Sequence, residues 1–346
     1  MSDVPPIAFF GAGSVGCFVG GAWQAAGLPV SFVGRERTRQ DVDAHGMTLT
    51  DGDGTRLHLP PGSVAFHTSP KALADAGVIA LAVKSYDTEA AAKDIAKHGR
   101  KGATVISFQN GVSNVARLKA LLPGFDIVQG MVPYNVAYLG SGRWHKGVAG
   151  ELVAEARPVT EAIAARLGRR VGQLRTVSDV EGLAWGKLLI NLNNAVNALS
   201  GKSLLEQLSD RGYRRIVAAS MVETLAILGE AGIKPAKLGP IPPDLLPYAI
   251  GAPDLLFRNT ILKAQRIDPH ARSSMADDIA AGRRTEIDYL NGEVVKLART
   301  VRMRAPVNEA IVSLVKQAEA GVERKWSAAE LSDIVLEGRD ASPAGH

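Results

Sequence analysis

The chain of 346 residues holds a single cysteine, Cys17. One thiol can form no internal disulfide and cannot supply a multi-cysteine metal site. Cys17 directly follows a glycine-rich turn, where it reads as a small apolar residue at a helix start, and no catalytic role is expected of it. The seven histidines, among them His45, His67, His98 and His145, show neither an i,i+4 pair nor HExxH spacing, so no metal site is expected. No apolar run approaches the roughly 20 residues that a membrane span needs. The opening MSDVPP lacks a signal-peptide pattern, and the expected location is the cytoplasm. Charge of one sign is also scarce: 40 Lys and Arg stand against 35 Asp and Glu, a net +5 with no basic tract. Neither a nucleic acid nor a membrane is expected as a partner.

What is present is apolar and ordered in pattern. At 46% hydrophobic residues the chain can bury a sizeable core and is long enough for two domains. From residue 7 to about 130, strand-like runs alternate with helix-like ones: Ile7 to Phe10, Val30 to Val33, Val78 to Val83, Thr104 to Phe108 and Asp126 to Gly130. Such near-continuous Val/Ile/Ala runs suit a parallel sheet buried on both faces, which gives an α/β, doubly wound class. The stretch from Met47 to Phe66 reads as a small antiparallel excursion, and Arg143 to Glu155 as a second hairpin. After Thr176 helix-periodic segments take over, with helices expected at Val180 to Leu199, Tyr213 to Ala231, Ser274 to Thr300 and Asn308 to Ala320. A proline-rich connection runs from Lys234 through Pro253. The expected division is a Rossmann-type nucleotide domain over 5–176, a mostly helical domain over 177–336 and a disordered tail over 337–346.

The sharpest local signal is IAFFGAGSVG, residues 7–16. An apolar strand runs into Gly11, Gly13 and Gly16 in GxGxxG spacing and then into a helix, an order that aims backbone N–H groups at a pyrophosphate. Gly11 permits the tight turn, Gly13 lets phosphate approach the backbone, and Gly16 lets helix and strand pack closely. The cofactor-binding residues expected here are Gly11, Ala12, Gly13, Ser14, Val15 and Gly16. An NAD enzyme usually places an acidic residue at the end of the second strand, but here Val30 to Val33 is followed by Gly34-Arg35-Glu36-Arg37. Arg35 is suited to a ribose 2′-phosphate, with Arg37 or Arg39 adding charge, so NADP(H) is the expected cofactor. The alternative is a solvated basic loop with Glu36 on the 2′-hydroxyl.

Ligands of open α/β sheets sit outside the carboxyl ends of the strands. Two strands end in polar residues placed for that purpose, Lys84 after Val78 to Val83 and Asn110 after Thr104 to Phe108. Taken singly, a snorkelling lysine and a turn-forming Asn-Gly would account for them. In the segment Trp185 to Asn194, Lys187, Asn191 and Asn194 recur at i, i+4 and i+7 and so share one helix face. A lysine there is partly desolvated, its pKa falls, and it can deliver a proton near neutral pH. An exposed polar face is the plain alternative, disfavoured because Leu188, Leu189 and Ile190 leave little else to face solvent. A third set, Ser274, Asp278 and Glu286, stays within about a third of the helix circumference if the helix continues past Gly282.

Together GAGSVG, AVKSYDT around Lys84, QNG at Asn110, WGKLLIN at Lys187 and SSMADDI…GRRTEIDYLNG resemble the ketopantoate reductase family over most of the chain. By that resemblance the glycine loop and Lys84 hold NADPH, and Asn110 lies where cofactor and substrate meet. Lys187 matches the family's proton donor, Asn191 its neighbouring substrate ligand, Ser274 the residue on the substrate's carboxylate side, and Glu286 the acidic residue that closes the site against cofactor and substrate. Asn194 joins the substrate set as the nearest amide to a second family Asn whose position is Ala195 here. The segment from Lys234 to His270 is longer than in shorter relatives. The implied reaction is NADPH-dependent reduction of 2-dehydropantoate to (R)-pantoate; another branched 2-keto acid, or a non-catalytic NADP sensor, are the readings it displaces. A small-molecule 2-keto acid is the expected partner, and a homodimer the self-association considered.

Overall fold

The computed structural model describes residues 4–147, 150–262, 271–322 and 324–337. The chain divides at Val180/Glu181 into two compact units. In the first, twelve strands among the described residues form two sheets. These are β1 (Ile7–Phe10), β2 (Val30–Val33), β3 (Met47–Asp51), β4 (Arg56–Leu59), β5 (Ala65–His67), β6 (Val78–Leu81), β7 (Thr104–Ser107), β8 (Asp126–Met131), β9 (Val136–Tyr138), β10 (Arg143–Lys146), β11 (Leu152–Glu155) and β12 (Leu174–Val177). The main sheet has eight strands in the order β12-β11-β8-β7-β6-β1-β2-β5. Its neighbours pair in parallel except β8 with β11, which run antiparallel. The α/β class expected from the apolar runs is therefore the one observed, and β6 and β7 are buried along their whole length as strands covered on both faces must be.

Helix α1 (Ser14–Ala25) is held on this sheet by aromatic packing. Phe9 on β1 meets Trp23 edge-on at 5.3 Å between ring centroids and Phe32 on β2 at 6.0 Å. The buried Trp23 indole donates to the Gly172 carbonyl at 2.8 Å, so its one polar atom is satisfied. This cluster anchors the last turn of α1 on the sheet, while the glycine turn at its start follows the carboxyl end of β1.

Two expected hairpins are redistributed. The Met47–Phe66 excursion is antiparallel only for β3 and β4, while β5 joins the edge of the main sheet beside β2. Arg143 to Glu155 is not a hairpin: β10 lies parallel to β3 and antiparallel to β9 in a separate four-stranded sheet, whereas β11 pairs with β8 and β12 in the main one. The turn that matters lies before Arg143: Gly140, Ser141 and Gly142, all with positive φ, return β10 onto β9, while the other partners of β10 and β11 are distant in sequence.

The second unit is helical. Its described helices are α6 (Val180–Asn191, crossing from the first unit), α7 (Asn193–Ser200), α8 (Leu204–Ser209), α9 (Arg211–Glu230), α10 (Leu246–Ile250), α11 (Asp254–Phe257), α12 (Ser274–Ala280), α13 (Asn291–Thr300), α14 (Pro306–Glu319) and α15 (Ala328–Ser332). The expected single helix from Val180 to Leu199 breaks at Leu192, although that residue keeps helical backbone angles and its amide still bonds Leu188 at 3.0 Å. The expected helix from Ser274 to Thr300 is a larger departure. It ends at Ala280, Gly282 turns the chain with φ +62°, and the next regular helix starts at Asn291. A positive φ suits glycine and cannot continue a right-handed helix. The proline-rich connection carries α10 and α11, pinned by the buried Arg214 of α9. Its guanidinium donates to the carbonyls of Ile250 and Ala252 at 2.8 and 2.7 Å, pairs with Asp254 and lies 4.2 Å from the Phe257 ring centroid. Residues 263–270, within the longer segment from Lys234 to His270, and the tail after Glu337 lie outside the described residues.

One close approach sets the course of α6. The Ala236 amide donates to the Gly182 carbonyl at 2.7 Å, and a Cβ on Gly186 would stand 2.2 Å from the Ala236 carbonyl oxygen. Two backbones meet there with no room for a methyl group. Gly186→Ala is expected to cost about 1–3 kcal/mol in urea unfolding, the usual range for overpacking; an unchanged midpoint would mean that the two backbones separate freely.

Candidate active site

At the glycine turn, the Gly11 and Ala12 amides donate to the Val33 carbonyl at 3.0 and 3.1 Å, and Gly11 adopts φ +99°. A Cβ on Gly11 would lie 2.5 Å from the Val83 amide nitrogen, and one on Gly16 would lie 2.4 Å from the Gly11 carbonyl oxygen. Gly13 differs: it is exposed, and a Cβ there would meet nothing within 4 Å. Two glycines are thus required by packing, while the third leaves open space at the start of α1. No side chain caps that helix, and its first turn carries no acidic residue. Its unsatisfied N–H groups and positive dipole end face the open space, a donor set that fits the pyrophosphate of a dinucleotide. Cys17 is buried beneath the turn, its thiol donating to the Ala12 carbonyl at 3.4 Å, and burial pushes its pKa up, away from thiolate chemistry.

Arg35 lies exposed at the N-cap of helix α2 (Glu36–His45). Its neighbours are already committed. Arg39 spans Glu36 at 2.6 Å and Asp43 at 2.5 Å, and the Arg39 hydrogen bond holds the Glu36 carboxyl below its ordinary range. Glu36 is therefore engaged in an ion pair, which weakens the alternative that it binds a ribose hydroxyl. Beside Arg39 a groove of about 500 Å³ opens, lined also by Phe66, His67, Thr68, Ser69 and Lys71. The Gly34 amide donates to the His67 carbonyl at 2.9 Å, which sets the groove next to the turn that carries Arg35.

Lys84 and Asn110 follow the adjacent strands β6 and β7, and both are half-buried. A buried polar network joins their loops. Ser85 Oγ donates to the Asn110 carbonyl at 2.7 Å, and Asn114 Nδ2 donates to that carbonyl at 2.6 Å. Thr88 Oγ1 donates to the Ser85 carbonyl at 2.7 Å and accepts from Gln109 Nε2 at 2.8 Å, which also reaches the Val83 carbonyl at 3.2 Å. Sequence reasoning missed Ser85, Thr88 and Asn114 as positioning residues. The available signal was a set of small polar residues just past two wholly apolar strands, where burial obliges them to pair.

In the second unit Lys187 rides on α6, half-buried, between the buried pair Leu188 and Leu189 and the buried Trp185. Ile190 departs from expectation: it is 47% exposed, because the polar stripe and the solvent face of α6 are different faces. Burial lowers the Lys187 pKa to about 8, against a smaller upward pull from the Glu286 carboxylate. Although Lys187 keeps some accessible surface, its ammonium is the part that burial desolvates. Glu286 is 5% exposed and acts on Lys187 electrostatically from the irregular segment after α12. The continuous helix imagined for Ser274, Asp278 and Glu286 does not exist, so helical spacing is not what brings Glu286 to the lysine.

Asn191 and Asn194 are half-buried on either side of the Leu192 break. The wholly buried Asn197, unremarked in the sequence, accepts from the Ser273 amide at 2.9 Å and donates to the Lys202 carbonyl at 3.1 Å. Ser273 Oγ donates to the Asn194 carbonyl at 3.1 Å and accepts from the Ala276 amide at 3.1 Å, capping α12. These bonds set Ser274, the first residue of α12, beside Asn194. Ala195, in the place of the second amide, is buried. Among the described residues no group of three or more His, Cys, Asp or Glu could hold a metal ion, and no helix is long and apolar enough to cross a membrane.

Residues 7–158 match the family model for Ketopantoate reductase PanE/ApbA, and residues 179–319 match that for Ketopantoate reductase PanE/ApbA C terminal. The 2-dehydropantoate 2-reductase of Halobacterium salinarum is 26% identical over 325 residues, covering 89% of this chain and 97% of the relative. The 2-dehydropantoate 2-reductase of Pyrobaculum aerophilum is 28% identical over 313 residues, with 90% and 96% covered. The crystal structure of a PanE/ApbA family ketopantoate reductase from Ralstonia eutropha JMP134 is similar at a TM-score of 0.77 and 28% identity, covering 91% of this chain and 99% of that one.

The network around Thr88 generates a stability expectation. Thr88→Val keeps the shape but leaves the Ser85 carbonyl and Gln109 Nε2 each short of a partner, which should cost about 1–3 kcal/mol in urea unfolding. A loss of only a few tenths would show that the two loops do not depend on this hydroxyl.

Proposed function

The chain belongs to the ketopantoate reductase family, and on that premise we propose that it catalyses NADPH-dependent reduction of 2-dehydropantoate to (R)-pantoate, with Lys187 as proton donor. The observation that carries this reading is the desolvated Lys187 ammonium facing the buried Glu286 carboxylate. A protein that only senses the cofactor has no need of such a lysine. The glycine loop of Gly11 to Gly16, Arg35 and Lys84 would hold the cofactor, and the family resemblance assigns Asn110 and Glu286 to it as well. NADPH, when bound, supplies the hydride that reduces the C2 carbonyl.

The chain's own groups do the rest. Lys187 Nζ holds the proton that the forming alkoxide oxygen takes up, and burial has brought its pKa close to neutrality, where an acid of this kind is most effective. By the family resemblance Asn110 and Asn191 are both substrate ligands, and the amide of each is a hydrogen-bond donor suited to a carbonyl oxygen. Ser274 and Asn194 serve the carboxylate and hydroxyl ends of the substrate. Glu286 keeps Lys187 charged at physiological pH by opposing the effect of burial. Two observations support NADPH over NADH: the cationic Arg35 stands where a carboxylate would be needed, and Glu36 is tied to Arg39.

One steady-state screen tests substrate and cofactor together. A charge-assisted contact is worth roughly 1.5–3 kcal/mol, so kcat/KM should favour NADPH about tenfold or more, and Arg35→Asp should erode or reverse the preference. Equal efficiency with both cofactors would refute the assignment of Arg35. With ketopantoate as the evolved substrate, 2-keto-3-methylbutanoate, which lacks the hydroxymethyl group, should be reduced roughly a hundredfold less efficiently. Comparable values would point to another branched 2-keto acid.

The pH profile tests the proton donor. Lys187 must be charged to act, so kcat for reduction should be level at lower pH and fall about tenfold per unit once pH rises past about 8. Alcohol oxidation needs the neutral amine, so its limb should run the other way, rising up to about pH 8. Lys187→Ala should remove the limb and lower kcat by about two to four orders of magnitude with little change in NADPH affinity. Near-normal turnover in that variant would exclude Lys187 as the acid.

A further inference from the structure

Glu319 is the last residue of α14, where the negative end of the helix dipole disfavours a carboxylate. Its side chain is nonetheless only 13% exposed, and other contacts must hold it there. Oε1 accepts two hydrogen bonds from one residue, the Thr285 amide at 2.7 Å and the Thr285 hydroxyl at 2.6 Å. Oε2 lies 3.2 Å from the Lys316 ammonium. Thr285 is wholly buried, and its Oγ1 also accepts from the Ile287 amide at 3.2 Å. The amides immediately before and after Glu286 are therefore both tied, directly or through one hydroxyl, to the Glu319 carboxylate.

This tie matters because Glu286 has no helix to hold it. Its backbone angles, φ −97° and ψ 25°, lie at the edge of a short 3₁₀ turn, Ile287–Tyr289. The charged groups around the clamp complete a closed set. Asp288 takes Lys316 at 2.6 Å and Arg284 at 3.5 Å, and Lys296 donates to the Asp288 carbonyl at 3.3 Å. Burial lowers the Lys316 pKa, but its hydrogen bonds to Asp288 and Glu319 outweigh that and leave it raised. Lys316 is thus a cation shared by the two carboxylates that bracket Glu286.

We propose that Glu319 is a positioning residue for the reaction: through Thr285 it fixes the backbone on both sides of Glu286 and so holds that carboxylate against Lys187. The proposal deepens the reading of Lys187 and Glu286 given above and rests on it. Neither Glu319 nor Thr285 needs to touch substrate. A displacement of Glu286 by about an ångström is enough to cost up to about a hundredfold in rate.

The test compares Glu319→Ala, Glu319→Gln, Thr285→Val and Thr285→Ser in the full-length protein, each first checked for a cooperative unfolding transition. Two measurements are made. One is the pH profile of kcat for reduction; the other is the pH dependence of acetic anhydride labelling at Lys187, read by mass spectrometry. Labelling reports the lysine's titration whether or not it is the proton donor. Glu319→Ala and Thr285→Val should lower kcat about 10- to 100-fold. In both, the Lys187 labelling midpoint should fall by roughly one pH unit, because an opposite charge that had favoured the ammonium has moved away. Glu319→Gln, which keeps an acceptor oxygen, and Thr285→Ser, which keeps the hydroxyl, should lie near the parent protein in both measurements. A lowered kcat with an unmoved labelling midpoint, or no change in either, overturns the proposal. If Glu319→Ala does not fold, Thr285→Val set against its serine counterpart decides the matter by the same two measurements. A labelling midpoint that moves while the kcat limb does not follow supports the positioning role and refutes Lys187 as proton donor, so the two failures are separable.

Discussion

The cost of placing an ammonium among apolar side chains governs the second unit. Lys187 sits on a helix whose neighbouring positions are leucine and tryptophan, and removal of water disfavours its charged form. Left alone, that group would discharge or seek solvent. Glu286 opposes the shift, so the pair settles near the pH at which a proton can be passed in either direction. A buried charge pair is weak evidence for stability, since desolvation offsets attraction. What the pair sets is the titration of Lys187, lowered by burial and partly restored by Glu286.

Each unit holds one irregular segment by a buried polar network. In the first unit, the loops carrying Lys84 and Asn110 are joined by Ser85, Thr88, Gln109 and Asn114, all of them buried. In the second, the segment carrying Glu286 is joined to α14 through Thr285 and Glu319. Satisfied polar networks of this sort are rigid because each member left unpaired would incur a desolvation penalty. Side chains on loops thereby gain the precision ordinarily supplied by a helix or strand.

Charge around the second strand is sorted rather than merely abundant. The run Arg35 to Arg39 holds three arginines against Glu36, yet Arg39 is spent on Glu36 and Asp43 within the same helix. Arg35 is left at the N-cap, exposed and beside the groove that contains Lys71. Arg39 makes its ion pairs within that helix, and Arg35 stands before it with its side chain exposed.

The sequence by itself determined the α/β class, the parallel strands, the glycine turn and the identity of Lys187 as the lysine to watch. These are legible because they rest on local rules: buried parallel strands are apolar throughout, only glycine fits where a Cβ would stand 2.4 Å from a carbonyl oxygen, and i, i+4 spacing shares a helix face. Tertiary structure alone decided where β5 and β11 pair and that β10 takes β3 beside its hairpin partner β9, since those partners are far away in sequence and strand patterning does not name a neighbour. It also decided how Glu286 reaches Lys187. The sequence suggested a continuous helix from Ser274, but Gly282 ends that path, and the carboxylate arrives instead on an irregular segment held by Glu319. Hydrogen bonds between residues far apart in sequence have no period and no spacing, and so leave no local mark in the sequence from which they could be read.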